Sequence, residues 1–147
     1  MDPAQPSDRP RPPFEITEHT ADIGLRAFGS TLAELFENAC RGTLEIMGAV
    51  GAAATRRDTV EASAEDGDVG GLLVDLLNEL IWLVDARNAR VADVRVELAT
   101  PSRVRASFGW EAGRGELAGT ELKAATYHRL AVDRTEERST ATVYFDV

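Results

Sequence analysis

The sequence predicts an α+β domain of two layers, a mostly antiparallel sheet with two helices packed on one face, in the order β-β-α-β-α-β-β-β-β. Three observations predict it. Near the start, two runs alternate apolar and polar residues with period 2. Two longer stretches, beginning at Leu32 and Val69, repeat apolar residues at helical spacing. From Val91 onward only alternating runs separated by turn residues remain.

The 147 residues suit one domain. Residues 1–13 hold five of the six prolines, with Ser7, two Asp and two Arg, and offer nothing apolar to bury. They are expected to form a disordered Pro-rich tail, leaving residues 14–147 as the domain.

Phe14-Glu15-Ile16-Thr17 and Gly24-Leu25-Arg26-Ala27-Phe28 are the first strand pair. Gly29-Ser30-Thr31 opens the first helix. Thr31 and Glu34 fit a capping box, with Ser30 as the competing cap. Leu32, Leu35, Phe36, Ala39, Thr43 and Met47 form its buried face, Cys40 lies beside that face as an inert thiol, and Gly48 stops the helix. Val50 to Arg57 reads as irregular and Thr59 to Ala64 as a strand. Asp68 caps a second helix whose broad apolar face runs from Val69 to Val84. Its opposite side aligns Asp75, Glu79 and Trp82. That side reads as a solvated face whose Trp is covered by a loop or the tail, or as a partner patch with an aromatic anchor. Val91–Leu98 and Val104–Trp110 form a hairpin around Thr100-Pro101-Ser102. Glu121–Tyr127 with Leu130–Asp133 is a long or interrupted strand, and Thr140–Asp146 closes the domain.

The net charge is −9, and of the 16 basic residues only Lys123 is a lysine. A chain this acidic is repelled by phosphate backbones, so direct tight binding of RNA or DNA is not expected. A cation or a basic protein is the more natural ligand. One cysteine excludes an intrachain disulfide and a Cys-cluster zinc site. No run approaches a membrane span and the opening residues lack a secretory pattern, so a cytoplasmic protein is expected.

His19-Thr20-Ala21-Asp22 places an imidazole, a hydroxyl and a carboxylate between two strands. Asp146 and Val147 end the last strand. Asp22, Asp146 and the chain terminus can meet in one sheet, and three oxygen donors would suit a hard cation. Lys123-Ala124-Ala125-Thr126-Tyr127-His128 gathers the sole lysine, a phenol and an imidazole; alternation sends Lys123, Ala125 and Tyr127 to one face and Thr126 and His128 to the other. No nucleophile–base set, phosphate loop or Gly-x-Gly-x-x-Gly is present.

His19-Thr20-Ala21-Asp22-Ile23-Gly24, Glu37-Asn38-Ala39, Leu77-Asn78-Glu79-Leu80, Lys123 to His128 and Phe145-Asp146-Val147 together resemble the archease family, in its order and at its spacing from Phe14 to the last residue. Ala125, where the family often has Val, and the proline-rich tail depart from the pattern. The resemblance implies a small accessory protein of the RtcB-type RNA ligase, which joins RNA ends in tRNA splicing and RNA repair through a guanylylated histidine. An archease promotes that guanylylation and multiple turnover without joining RNA itself. The resemblance also implies a divalent-cation site built from Asp22, Asp146 and the terminal Val147. Ca²⁺ is the ion most expected, with Mg²⁺ or Mn²⁺ as alternatives. His19, Thr20, Lys123, Tyr127 and His128 would line the site or face the partner. The rival readings are a metal-dependent phosphate-ester hydrolase using the same carboxylates, and a chaperone-like interaction module acting through the Asp75–Glu79–Trp82 face.

Overall fold

The computed structural model describes residues 12–18 and 22–147. Its elements are β1 (Phe14–Glu18), β2 (Ile23–Gly29), α1 (Leu32–Met47), β3 (Arg56–Ser63), α2 (Val69–Arg87), β4 (Ala89–Ala99), β5 (Arg103–Ala112), β6 (Ala124–Arg134) and β7 (Ser139–Asp146). This is the order read from the sequence. The expected disorder of the tail concerns residues 1–11, outside the described part, together with Pro12 and Pro13.

Both helices begin on a side-chain cap and end on a residue in the left-handed region. Thr31 accepts from the Glu34 backbone N–H at 3.1 Å, while the Ser30 hydroxyl donates to the Glu34 carboxylate at 2.9 Å. Gly48 ends α1 in the left-handed region, where its N–H and that of Ala49 reach back to Glu45 and Leu44. Asp68 caps α2 through the Gly71 N–H at 2.9 Å, and Asn88 ends it at φ 51°.

The antiparallel strands divide into two sheets, β1-β2-β7-β6 and β3-β5-β4. Alternation tells which face a strand buries but not which strand it pairs with, so the division is not visible in the sequence. The helices hold the sheets together: α1 packs on β1 and β2 of the first and β4 of the second, and α2 on β6 of the first and β3 of the second. The core between them contains Leu25, Phe36, Leu73, Leu77, Phe108 and Phe145, all fully buried. Cys40 is buried there too, and burial with the nearby Glu37 carboxylate pushes its thiol far up.

β3 starts at Arg56, earlier than its weak alternation suggests, because the polar run Arg56-Arg57-Asp58 is held by β5. Asp58 accepts from Trp110 Nε1 at 3.0 Å, and the Arg56 guanidinium lies 5.4 Å from the Trp110 ring centroid.

Candidate metal centre

In the first sheet β7 lies between β2 and β6. The last β2–β7 pair is Ile23 with Phe145. The ladder ends there; carried one step further, the same register would set Asp22 opposite Asp146. Side chains directly opposite each other in an antiparallel pair share a face, with Cβ atoms roughly 4.5–5.5 Å apart, and like charges there repel. On the other side of β7, Asp146 pairs with Ala124, and its carbonyl accepts from the Lys123 N–H at 2.8 Å. Asp22 is half-buried, and Asp146 and Lys123 are exposed. Val147 follows, 46% exposed. Asp22, Asp146, Val147 and Lys123 therefore gather at one end of one sheet.

The start of β6 is fixed by α2. β6 is an edge strand, so its outward backbone groups need partners other than a strand. Asn78 supplies them: its Oδ1 accepts from the Ala125 N–H at 2.8 Å, and its Nδ2 donates to the Ala125 carbonyl at 3.2 Å. Asn38 serves α1 in a similar way, donating to the Phe28 carbonyl at 2.7 Å.

Beyond Thr126, which pairs with Tyr144, the register shifts, and pairing resumes at Ala131 with Thr142. Tyr127 to Leu130 thus oppose Val143 alone, a bulge that requires φ 57° at Arg129. The alternation read through Lys123–His128 stops at Thr126 for this reason: Ala125 is buried, whereas Tyr127 is 62% exposed. The Arg129 guanidinium lies 4.7 Å from the Tyr144 ring centroid. Thr126 Oγ1 donates to the Tyr144 carbonyl at 3.0 Å. The Tyr144 ring lies close over Gly24, where an added Cβ would come 2.9 Å from Cε1 of that ring and would also meet Thr17 Oγ1.

Of the residues picked out in the sequence, His19 and Thr20 lie outside the described residues. Tyr127 and His128 sit in the bulge, both exposed. The residues that sequence reasoning did not single out for the site are Asn78, Thr126 and Tyr144. An asparagine inside the apolar run Leu76-Leu77-Asn78-Glu79-Leu80 was the available signal for the first.

Chemically, Asp22 and Asp146 are hard oxygen donors of the class that holds Ca²⁺ or Mg²⁺, and a cation between them would cancel their mutual repulsion. Their chemistry suits such an ion, though two carboxylates are only part of the roughly six to eight oxygen ligands that Ca²⁺ takes. Among the described residues no three His, Cys, Asp or Glu side chains form a metal-holding group; Asp22 and Asp146 would supply two donors and need others to complete a site.

Two helices bridging two antiparallel sheets, with Asp22 and Asp146 next to the last β2–β7 pair, define a small α+β protein with carboxylates at one sheet end. The chain belongs to the archease family: residues 14–147 match the archease protein family (MTH1598/TM1083). The protein archease of Archaeoglobus fulgidus is 34% identical over 137 residues, covering 91% of this chain and 98% of that one. That of Thermococcus gammatolerans is 35% identical over 126 residues, covering 82% and 88%. Among solved structures, protein 1598 of Methanobacterium thermoautotrophicum matches with a TM-score of 0.68 at 29% identity, covering 92% of this chain and 99% of that one. An archease of Thermotoga maritima, described as a possible chaperone, matches with a TM-score of 0.65 at 27% identity, covering 95% and 98%.

Proposed function

We propose that this protein is a non-catalytic, metal-binding accessory protein that activates an RtcB-type RNA ligase, promoting its guanylylation and multiple turnover in tRNA splicing or RNA repair. The observation that supports the reading is the β2–β7 register, whose Ile23–Phe145 pair brings the neighbouring Asp22 and Asp146 to one sheet end in a chain of the archease family. In this reading Asp22, Asp146 and Val147, the last through its α-carboxylate, hold one divalent cation, Ca²⁺ being favoured by an all-oxygen set and Mg²⁺ or Mn²⁺ the alternatives. The bound ion supplies positive charge at a strand end that otherwise concentrates carboxylates. Lys123, Tyr127 and His128 present the neighbouring surface to the ligase, with Asn78 holding the start of their strand in place. The net charge of −9 steers the protein toward a basic ligase surface and away from free RNA. Among the described residues no helix is long and apolar enough to cross a membrane, and we place the activity in the cytoplasm.

The decisive experiment is a guanylylation assay of an RtcB-type ligase with and without this protein. Stimulation that is lost in Asp22→Ala supports the reading. No stimulation by the intact protein in any divalent metal would sink it. A second reading, a chaperone-like interaction module, draws on the description of the Thermotoga maritima relative and on the 54% exposure of Trp82. It requires suppression of a client's aggregation that is indifferent to Asp22 and to chelators.

A further inference from the structure

Three aromatic rings in this chain each carry an arginine on one face: Trp110 under Arg56 at 5.4 Å, Tyr144 under Arg129 at 4.7 Å and Phe28 under Arg138 at 4.4 Å. Trp82, the exposed tryptophan, carries none among the described residues. It stands on the outer side of α2, 54% exposed. The carboxylates that would complete such a pair are nonetheless in place. Asp75 and Glu79 precede Trp82 on the same side of the helix, and Asp85 follows one turn later. A cleft of about 480 Å³ lies between α2 and the start of β6, bordered by Asn78, Trp82, Asp85 and Lys123. Asp85 also borders an adjoining cleft of about 420 Å³ with Glu116 and Glu121, and no basic side chain lines that second cleft.

Among the described residues, Asp75, Glu79, Asp85, Glu116 and Glu121 enter none of the ion pairs. Asp85 sits in the last turn of α2, where the helix presents its carbonyl end and favours a cation. Its carboxyl is raised by burial and then by repulsion from Glu121. Lys123 is the one cation at the rim of the Trp82 cleft, outnumbered by carboxylates on this side of the molecule.

We infer that this face of α2 is a docking surface for an arginine-bearing segment of a protein partner, with a guanidinium stacked on Trp82 and its charge met by Asp85 and Glu121. Arginine fits better than lysine, because a planar, weakly hydrated guanidinium can lie on an indole and still bond carboxylates at its edge. The charge of the face disfavours nucleic acid, anionic lipid and a second copy of this acidic chain. The surface adjoins the one assigned to the ligase, because Lys123 borders both, but the inference needs neither metal nor ligase.

The test is a calorimetric titration of the full chain, at low salt, with an unstructured peptide of arginines spaced by Gly and Ser, and with the same peptide carrying lysine. The arginine peptide should bind more tightly than the lysine peptide. Trp82→Ala should weaken it by about tenfold, and the pair Asp85→Asn with Glu121→Gln by at least as much. The pair Glu136→Gln with Glu137→Gln removes the same charge on the β6–β7 turn and should change little. Indole fluorescence should shift on binding and lose that shift in Trp82→Phe. Equal binding of the two peptides, or equal losses in both charge pairs, would mean generic attraction to an acidic protein and would overturn the inference. So would a Trp82-dependent dimer in sedimentation, or binding gained only when Arg9 and Arg11 are both changed to Ala, which would make the chain itself the occupant.

Discussion

Asn78 on α2 and Ala125 on β6 are joined by two hydrogen bonds, one in each direction, across 47 residues of sequence. The amide behaves as a short extra strand on the outward edge of β6. It also sets the position of Lys123, two residues earlier, whose own N–H binds Asp146.

Replacing this amide should therefore loosen the strand as well as destabilise the fold. Asn78→Ala is expected to cost about 1–3 kcal/mol in urea unfolding, the range for stranding partly buried backbone partners. Hydrogen exchange at the Ala125 amide should speed up, with little change at the amides of β5 in the other sheet. Unchanged exchange at Ala125 would show that the edge is held by something else.

Gly24 makes a second, purely steric prediction. Its Cα lies beneath the Tyr144 ring, and a Cβ there would be 2.9 Å from Cε1 and in contact with Thr17 Oγ1. Gly24→Ala should cost about 1–3 kcal/mol by overpacking. Combining it with Tyr144→Leu, which removes the ring, should give less than the sum of the single losses. Strict additivity in that double-mutant cycle would refute the contact.

These two contacts also mark where the sequence stopped being informative. The helix at Val69–Arg87, the turn at Pro101 and the closing strand were legible because period and punctuation are local. A carboxylate beside a strand end is commonly just a turn residue, so Asp22 and Asp146 were legible as candidates chiefly through the resemblance of their motifs to the archease family. Their alignment required the β2–β7 pairing, which joins residues more than a hundred positions apart and leaves no local trace. The Tyr127–Leu130 bulge was hidden because alternation assumes one residue per partner, and four residues here oppose one. The pairing of Asn78 with an edge strand could not be read before β6 was known to be an edge.

Cys40 yields a pH prediction. Burial, then Glu37, raises its thiol in the folded chain, so the folded state keeps its proton at pH values where the unfolded thiol has lost it. The folded form then binds more protons than the unfolded form, and stability must fall with rising pH. The loss starts near the unfolded thiol pKa of about 8.5 and proceeds at up to about 1.4 kcal/mol per pH unit. Cys40→Ala should be less stable at pH 7 through the small cavity it leaves, yet should lose less stability between pH 8 and 10 than the parent. A parallel decline in both proteins would assign the alkaline loss to other groups. The same burial predicts that a thiol reagent labels Cys40 only at the rate of unfolding.

If a divalent cation sits between Asp22 and Asp146, removing either carboxylate should separate two effects. Asp22→Asn and Asp146→Asn should each weaken Ca²⁺ binding in calorimetry. In the parent, Ca²⁺ at a hundred times its dissociation constant should add about 2.7 kcal/mol of stability by linkage, and the variants should gain less at the same concentration. In chelator the order should reverse or level, because neutralising one member of an opposed like-charge pair relieves repulsion. Variants that lose stability equally with and without Ca²⁺ would mark these aspartates as structural.

The chain end supplies the sharpest test of the proposed ligand set. Val147 would act through its α-carboxylate, ionised above a pKa of about 3.5, while its isopropyl group contributes little to a hard ion. A peptide tag appended after Val147 turns that carboxylate into a neutral amide and adds bulk beside Asp146, and it alters no residue of the domain. A tag placed before Met1 is separated from β1 by the thirteen residues that precede Phe14. The Lys123–Asp146 backbone bond and the Ile23–Phe145 pair lie inside the tagged residue, so the sheet should survive the appended chain. The expected outcome is an asymmetry: both tagged proteins give the same unfolding midpoint in chelator, but only the N-terminally tagged one binds Ca²⁺ as the untagged protein does and stimulates ligase guanylylation. Removing the C-terminal tag with a protease that leaves Val147 as the last residue should restore both. Equal Ca²⁺ binding by the two tagged forms would take Val147 out of the ligand set and leave Asp22 and Asp146 to be completed by some other donor.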